Sequence, residues 1–279
     1  MENNQPLGVF DSGVGGLTVV KCLWEHFPNE QIIYFGDTAH LPYGSRDPQE
    51  IIAFGKEIVN FLLKYSVKAV IAACNTSSSV SLAFLRKEFS IPIIGMIEPA
   101  VRAGIKKTRN KKVGVIATLA TANSGAYERT FKELAPDVEV FVQACPLFVP
   151  LVEEGRIERR ETYQIARSYL RPLQEAGIDT LIFGCTHYPF LSSVIRHILG
   201  DEVQLVDPAE EVVMELSPLL KSDGQKKTPP QHLFFASGSV TSFYTIGKKF
   251  LNCYPLTVEH VSLDEQGKDD NLSRKTAST

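Results

Sequence analysis

The chain has 279 residues, 44% of them apolar and 22% charged, with a net charge of −3, which is the composition of a globular protein long enough for two domains or one large one. The interspersed charge signs argue against a nucleic-acid surface, because the one basic run, Lys106 to Lys112, reads as a solvated turn before a strand. The N-terminus is polar and acidic where a signal peptide is basic and then apolar, and no uninterrupted apolar run approaches membrane-spanning length. Five cysteines, Cys22, Cys74, Cys145, Cys185 and Cys253, are spread without a C-x-x-C pair or zinc-type spacing, a usage that points to a reducing cytoplasm.

Short apolar runs alternate with helical patterns along the chain. Leu7 to Phe10, Gln31 to Tyr34, Ala69 to Ala72 and Pro92 to Ile94 read as strands, with helices at Gly16 to His26, Gln49 to Lys64 and Ser78 to Glu88. The order returns with strands at Val113 to Ile116, Val138 to Val142, Thr180 to Phe183 and Gln204 to Val206, separated by helices near Tyr127 to Leu134 and Ile157 to Glu175. Beyond Asp207 come a helical signal at Ala209 to Leu220, a loop from Lys221 to Pro230, a further strand at Leu233 to Ala236, and a polar tail from Asp264 that is expected to fray. This alternation predicts an α/β fold of two pseudo-symmetric domains, each a parallel sheet flanked by helices, with a site in the cleft between them. The first domain is expected over 1–97 with a C-terminal return over 209–279, and the second over 98–208.

The strongest sign of duplication is a pair of cysteine motifs. Val67 to Ala73 runs into Cys74-Asn75-Thr76, and Ile178 to Gly184 runs into Cys185-Thr186-His187; farther on, Glu98-Pro-Ala and Asp207-Pro-Ala follow at nearly equal spacing. A thiol therefore stands where a strand ends in each half. Ligands of parallel sheets bind beyond the carboxyl ends of the strands, at helix N-termini with free N–H groups. A thiol there is expected to have its pKa lowered from about 8.5 by the helix dipole. If the halves face one another, one thiolate can take a proton from a carbon while the opposite thiol returns one, which is racemase chemistry. For either cysteine alone, a small buried hydrophobe is the simpler account; the pairing is what favours catalysis.

Polar neighbours fit this reading. Asn75, Thr76 and Ser77 after one cysteine, and Thr186 and His187 after the other, can grip an α-carboxylate. Cys185-Thr-His187 also suggests a cysteine nucleophile with a histidine base, although residues two apart meet only if the loop bends. A metal site from Cys185, His187 and His40 lacks a fourth ligand at recognisable spacing. The turn Gly8 to Leu17 is glycine-rich but has neither a P-loop ending nor G-x-G-x-x-G spacing, and Asp11 at its centre would repel phosphate. Asp11 is better suited to receive a substrate ammonium or orient a thiol. The loop Phe35 to Gly44 should open on the same cleft, with the N–H groups of Tyr43 and Gly44 available to a second carboxylate; the plainer alternative is a Pro-Tyr-Gly turn with a structural aspartate.

Taken together, Phe10 to Leu17, Gly36 to Gly44, Ala73 to Ser77 and Gly184 to Pro189 closely resemble the glutamate racemases, with the likeness running from Leu7 to about Leu251. The resemblance implies interconversion of L- and D-glutamate for peptidoglycan synthesis without a cofactor, by a cytoplasmic isomerase that is commonly a homodimer. It implies that Cys74 and Cys185 are the acid/base pair, Cys74 acting on D-glutamate and Cys185 on L-glutamate, assisted by Asp11 and His187, with Asp37 and Glu153 as further acidic site residues. Ser12, Asn75, Thr76 and Thr186 would hold the amino-acid head group, and Pro42, Tyr43 and Gly44 would surround the side-chain carboxylate. The alternatives are an aspartate or hydantoin racemase on the same plan and, more remotely, a binding protein such as a gyrase-interacting regulator. No membrane or nucleic-acid partner is expected.

Overall fold

A computed structural model describes residues 5–218, 220, 230–251 and 256–263. In chain order, the first half builds β1 (Leu7–Asp11), α1 (Leu17–His26), β2 (Ile32–Gly36), α2 (Pro48–Leu63), β3 (Ala69–Ala72), α3 (Asn75–Val80), α4 (Leu82–Glu88), β4 (Ile93–Gly95) and α5 (Ile97–Lys107). The second builds β5 (Lys112–Ala117), α6 (Leu119–Asn123), α7 (Ala126–Leu134), β6 (Glu139–Ala144), α8 (Phe148–Glu153), α9 (Arg160–Ala176), β7 (Thr180–Gly184), α10 (Ser192–Leu199) and β8 (Gln204–Val206). After α11 (Pro208–Glu215) come β9 (Leu233–Ala236), α12 (Val240–Leu251) and β10 (Val258–His260).

The strands form two parallel sheets, ordered β10-β9-β2-β1-β3-β4 and β6-β5-β7-β8. The expected α/β architecture is therefore present, and the strand after the long loop returns to the first sheet, where Gly36 pairs with Ala236. Helices cover the sheets, so the central strands β1, β2, β3 and β7 are buried at every residue and read as continuous apolar runs. One apolar cluster passes from Leu17 and Val20 of α1 through Val212 and Val213 of α11 to Leu181 and Phe183 of β7, joining the two lobes.

Local chemistry sets the helix ends. Asp47 caps α2 by accepting from Gln49 N at 2.8 Å, Glu50 reaches back to Asp47 N, and Pro48 occupies the first helical position, a capping box with a pre-set φ. Gly177 ends α9 in the left-handed region, φ 72°, where a side chain would be strained. The single helix expected over Ser78 to Glu88 is instead two, because serine hydroxyls compete for backbone groups: Ser81 Oγ bonds Ser77 O, Ser77 Oγ meets Ser81 Oγ, and Ser78 Oγ bonds Ala72 O. The helical signal expected to reach Leu220 ends at Glu215. Most of the expected loop over 221–230, the polar tail from 264 and Cys253 lie outside the described residues.

Candidate active site

The carboxyl ends of both sheets open on one cavity of about 450 Å³. The loop after β1 supplies Ser12, the turn after β2 supplies Pro42, Tyr43 and Gly44, and the β3–α3 junction supplies Cys74, Asn75 and Thr76; the opposite wall carries Glu153, Cys185, Thr186 and His187. Every expected site residue lines this cavity except Asp11 and Asp37, which stand behind its wall, each 1% exposed, and Ser77, which is buried with its hydroxyl against Ser81. The two thiols thus share one space, one from each lobe. His40, the remaining member of the conceivable metal set, is also outside, with its ring stacked on Phe54 and its Nδ1 2.9 Å from the Asp37 carboxylate.

Each thiol heads a short chain that ends in a carboxylate. Cys74 Sγ donates to Ser12 Oγ at 3.6 Å, and Ser12 Oγ donates to Asp11 Oδ1 at 3.2 Å. Cys185 Sγ lies 3.9 Å from His187 Nδ1, whose ring reaches Glu153 Oε1 through Nε2 at 3.2 Å. The loop therefore does bend Cys185 toward His187, the geometry a cysteine acyl-transfer site would share; the opposing thiol is what that reading leaves without a role. Asp11 Oδ2 also accepts from Thr186 Oγ1 at 3.2 Å, and a Cβ on Gly15 would stand 2.8 Å from the His187 ring and closer still to Thr186 Oγ1. Backbone this close to the opposite lobe requires glycine.

The expected lowering of the thiol pKa is overturned. Burial pushes Cys74 up to about 11, with the charge of Asp11 adding to it and hydrogen bonds from Ser77 and Ser12 opposing it. Cys185 is also raised well above its ordinary value, first by burial and then by Cys74, Asp11 and Glu153, against a backbone bond from His187. The dipole effect loses because α3 is only a six-residue helix and Cys185 is followed by a 3-10 turn, Tyr188–Leu191, while both thiols are more than nine-tenths buried. Asp11 is likewise raised by burial, in part offset by His187 and by its donors Gly13, Thr186 and Ser12.

Among the described residues Asn75 Nδ2 has no partner, although the residue is 3% exposed and its Oδ1 accepts from Tyr127 OH at 3.0 Å. An orphaned buried donor on a cavity wall marks a place for an acceptor. Thr76 Oγ1 meets Thr118 Oγ1 at 2.9 Å, and Thr118 donates to Thr121 at 3.0 Å. Thr118, Leu119, Val149 and Pro150 line the cavity without having been singled out in the sequence. Thr118 was findable, since it follows β5 as Cys74 follows β3; the apolar residues carry no chemical signal. Among the described residues no lysine or arginine lines the cavity.

A family model for Asp/Glu/Hydantoin racemases matches residues 17–216, and the chain belongs to that family. Its relatives include a glutamate racemase of Geobacter metallireducens, 44% identical over 93% of this chain and 97% of that one. Among solved structures, glutamate racemase isoform RacE1 from Bacillus anthracis superposes with TM-score 0.88 at 42% identity, covering 93% of this chain and 98% of that one. Glutamate racemase from Francisella tularensis in complex with D-glutamate gives TM-score 0.87 at 39% identity, over 94% and 99%.

Proposed function

We propose that this protein is an isomerase interconverting L- and D-glutamate by two-base proton transfer at the α carbon, with Cys74 and Cys185 as the bases and without a cofactor. The observation that carries the reading is the opposition of these thiols across a single cavity. Starting from L-glutamate, Cys185 as thiolate removes the α proton and Cys74, as thiol, delivers a proton to the other face; the reverse direction exchanges the roles. Burial disfavours both thiolates, and the substrate ammonium supplies the positive charge that offsets it. Asp11 through Ser12, and Glu153 through His187, assist the two sulfurs in accepting and releasing protons. The developing carbanion is next to the carboxylate, for which Asn75 Nδ2, unpartnered among the described residues, is the available donor; Thr76 and Thr186, whose hydroxyls bond Thr118 and Asp11, line the same cavity.

Pro42, Tyr43 and Gly44 meet the side-chain carboxylate, and Leu41, Val149 and Pro150 exclude water from the reacting carbon. The lobes correspond to domains of residues 1–97 with 209–279, and 98–208, a division supported by the pairing of β9 with β2. Among the described residues no helix is long and apolar enough to cross a membrane. The reading extends to a cytoplasmic homodimer that supplies D-glutamate for peptidoglycan, in keeping with the sequence motifs.

Incubating each glutamate enantiomer in deuterated water, while following circular dichroism and label at the α carbon, tests this. The protein is expected to racemise both enantiomers and introduce solvent deuterium; Cys74→Ala and Cys185→Ala are each expected to lose racemisation, by at least about a hundredfold. Faster turnover of aspartate than of glutamate would instead favour the aspartate racemase alternative, and retained racemisation in either cysteine variant would sink the two-base mechanism.

A further inference from the structure

Asp37 lies outside the cavity, yet its carboxylate is the hub of a network just behind the wall. Tyr43 OH donates to Oδ2 at 2.5 Å, Ser237 Oγ donates to Oδ1 at 2.7 Å, and His40 Nδ1 is 2.9 Å from both oxygens. Ser237 Oγ also accepts from Ala39 N at 2.9 Å, and its own N–H donates to Gly36 O at 3.1 Å. A second stitch runs from Gly238 N to Thr38 Oγ1 at 2.9 Å. These bonds fasten the loop after β2 to the loop after β9, at the carboxyl ends of two neighbouring strands.

We propose that Ser237, contributed by the C-terminal return of the chain, is a positioning residue for substrate binding that acts through Asp37 on Tyr43. The proposal rests on the reading of the cavity as a glutamate site. A carboxylate that is 1% exposed is tolerated only when its oxygens are supplied with donors. With Ser237 in place, Oδ1 is occupied and Oδ2 faces Tyr43 OH. Remove the Ser237 hydroxyl, and among the described residues His40 is the one remaining donor to Oδ1; the carboxylate then turns toward the imidazole and Tyr43 loses its anchor. Tyr43 is 2% exposed and forms the cavity wall together with Pro42 and Gly44, so its displacement shifts the surface that meets the substrate side chain; Cys74 packs in the same small cluster as Tyr43 but keeps its own bonds to Ser12 Oγ and Ser77 N. Binding should therefore suffer more than proton transfer.

The test compares Ser237→Ala, Ser237→Thr and Thr38→Val with the unmodified protein, measuring kcat and KM for both enantiomers. Ser237→Ala is expected to raise KM about tenfold, the loss of one hydrogen bond to a charged group, with kcat held within about twofold. Ser237→Thr, which keeps the hydroxyl, is expected to restore KM to within about threefold of the original. Thr38→Val breaks the neighbouring stitch without touching Asp37 and should leave KM within about twofold. An unchanged KM in Ser237→Ala, a fall in kcat matching the rise in KM, no rescue by threonine, or an equal KM effect in Thr38→Val would each overturn the proposal. An unmodified protein that racemises no glutamate would sink the functional reading, whereas an active one with an indifferent Ser237 sinks this inference alone.

Discussion

Asn75 holds an amide with one half satisfied and one half waiting: Oδ1 is engaged by Tyr127 OH, and Nδ2 is buried without a partner. A buried unpaired donor costs on the order of 1–3 kcal/mol, and an incoming carboxylate removes that cost on binding. Asn75→Asp keeps the acceptor for Tyr127 and the side-chain shape but replaces the donor by a second acceptor. It is expected to weaken L-glutamate binding by at least about tenfold, read as KM or by calorimetry, with little change in the fold. Unchanged affinity would remove Asn75 from the head-group site. The positions of such residues were legible from the chain, because each follows a strand that ends in a polar pair. Their electrostatics were not. Whether a thiol at a strand end is acidified depends on how long the following helix is and how much of the opposite lobe covers it, and neither the six residues of α3 nor the burial of Cys74 can be read from Cys-Asn-Thr.

At the scale of elements, the strands were the most legible part. Ala69–Ala72, Gln204–Val206 and Leu233–Ala236 stand out as short apolar runs between turn residues, because a parallel sheet buries both faces of its strands. The helices α5, α6, α8 and α10 were not expected, and three further departures have separate reasons. α12 is rich in β-branched and aromatic residues, and its helical state is set by tertiary packing of Phe243, Gly247, Phe250 and Leu251 rather than by propensity. β10 is Val258-Glu259-His260, with a single apolar residue, so it shows no apolar run to read as a strand. The split between α3 and α4 comes from hydroxyl bonds of Ser77, Ser78 and Ser81 that compete with helical continuity. By contrast α2 was expected over Gln49 to Lys64, and its first turn, Asp47-Pro-Gln-Glu50, can be tested. Asp47→Ala removes the cap to Gln49 N and is expected to lower stability by about 1 kcal/mol, measured as a lower urea midpoint at unchanged slope. A change below a few tenths would mean that packing of Ile51, Ile58 and Leu62 alone holds the helix end.

For the whole molecule, the burial that faces both thiols into one cavity also stores a dependence on pH. Cys74 and Cys185 are both raised by burial, Cys74 to about 11, and Cys145, beneath Tyr188, is raised in the same way. In the unfolded chain a thiol ionises near its ordinary value of about 8.5. Below that value folded and unfolded states hold the same protons, so the contribution to stability is complete. As pH climbs above it, the unfolded chain loses protons that the folded protein keeps, and the balance moves toward unfolding until the folded pKa is reached. Each such thiol contributes about 1.4 kcal/mol of lost stability per pH unit within that window, and the buried hydroxyls of Tyr34, Tyr43 and Tyr188, raised by burial as well, join above about pH 10. The urea midpoint is therefore expected to be flat from about pH 7 to 8.5 and to fall steeply from about pH 9 to 10.5. Replacing both Cys74 and Cys185 by alanine should make that fall shallower even though it abolishes turnover, because the variant has two fewer protons to retain. An equally steep fall in the double variant would place the alkaline sensitivity in Cys22, Cys145 and the tyrosines, and would mean that Cys74 and Cys185 ionise inside the folded cleft at no unusual cost.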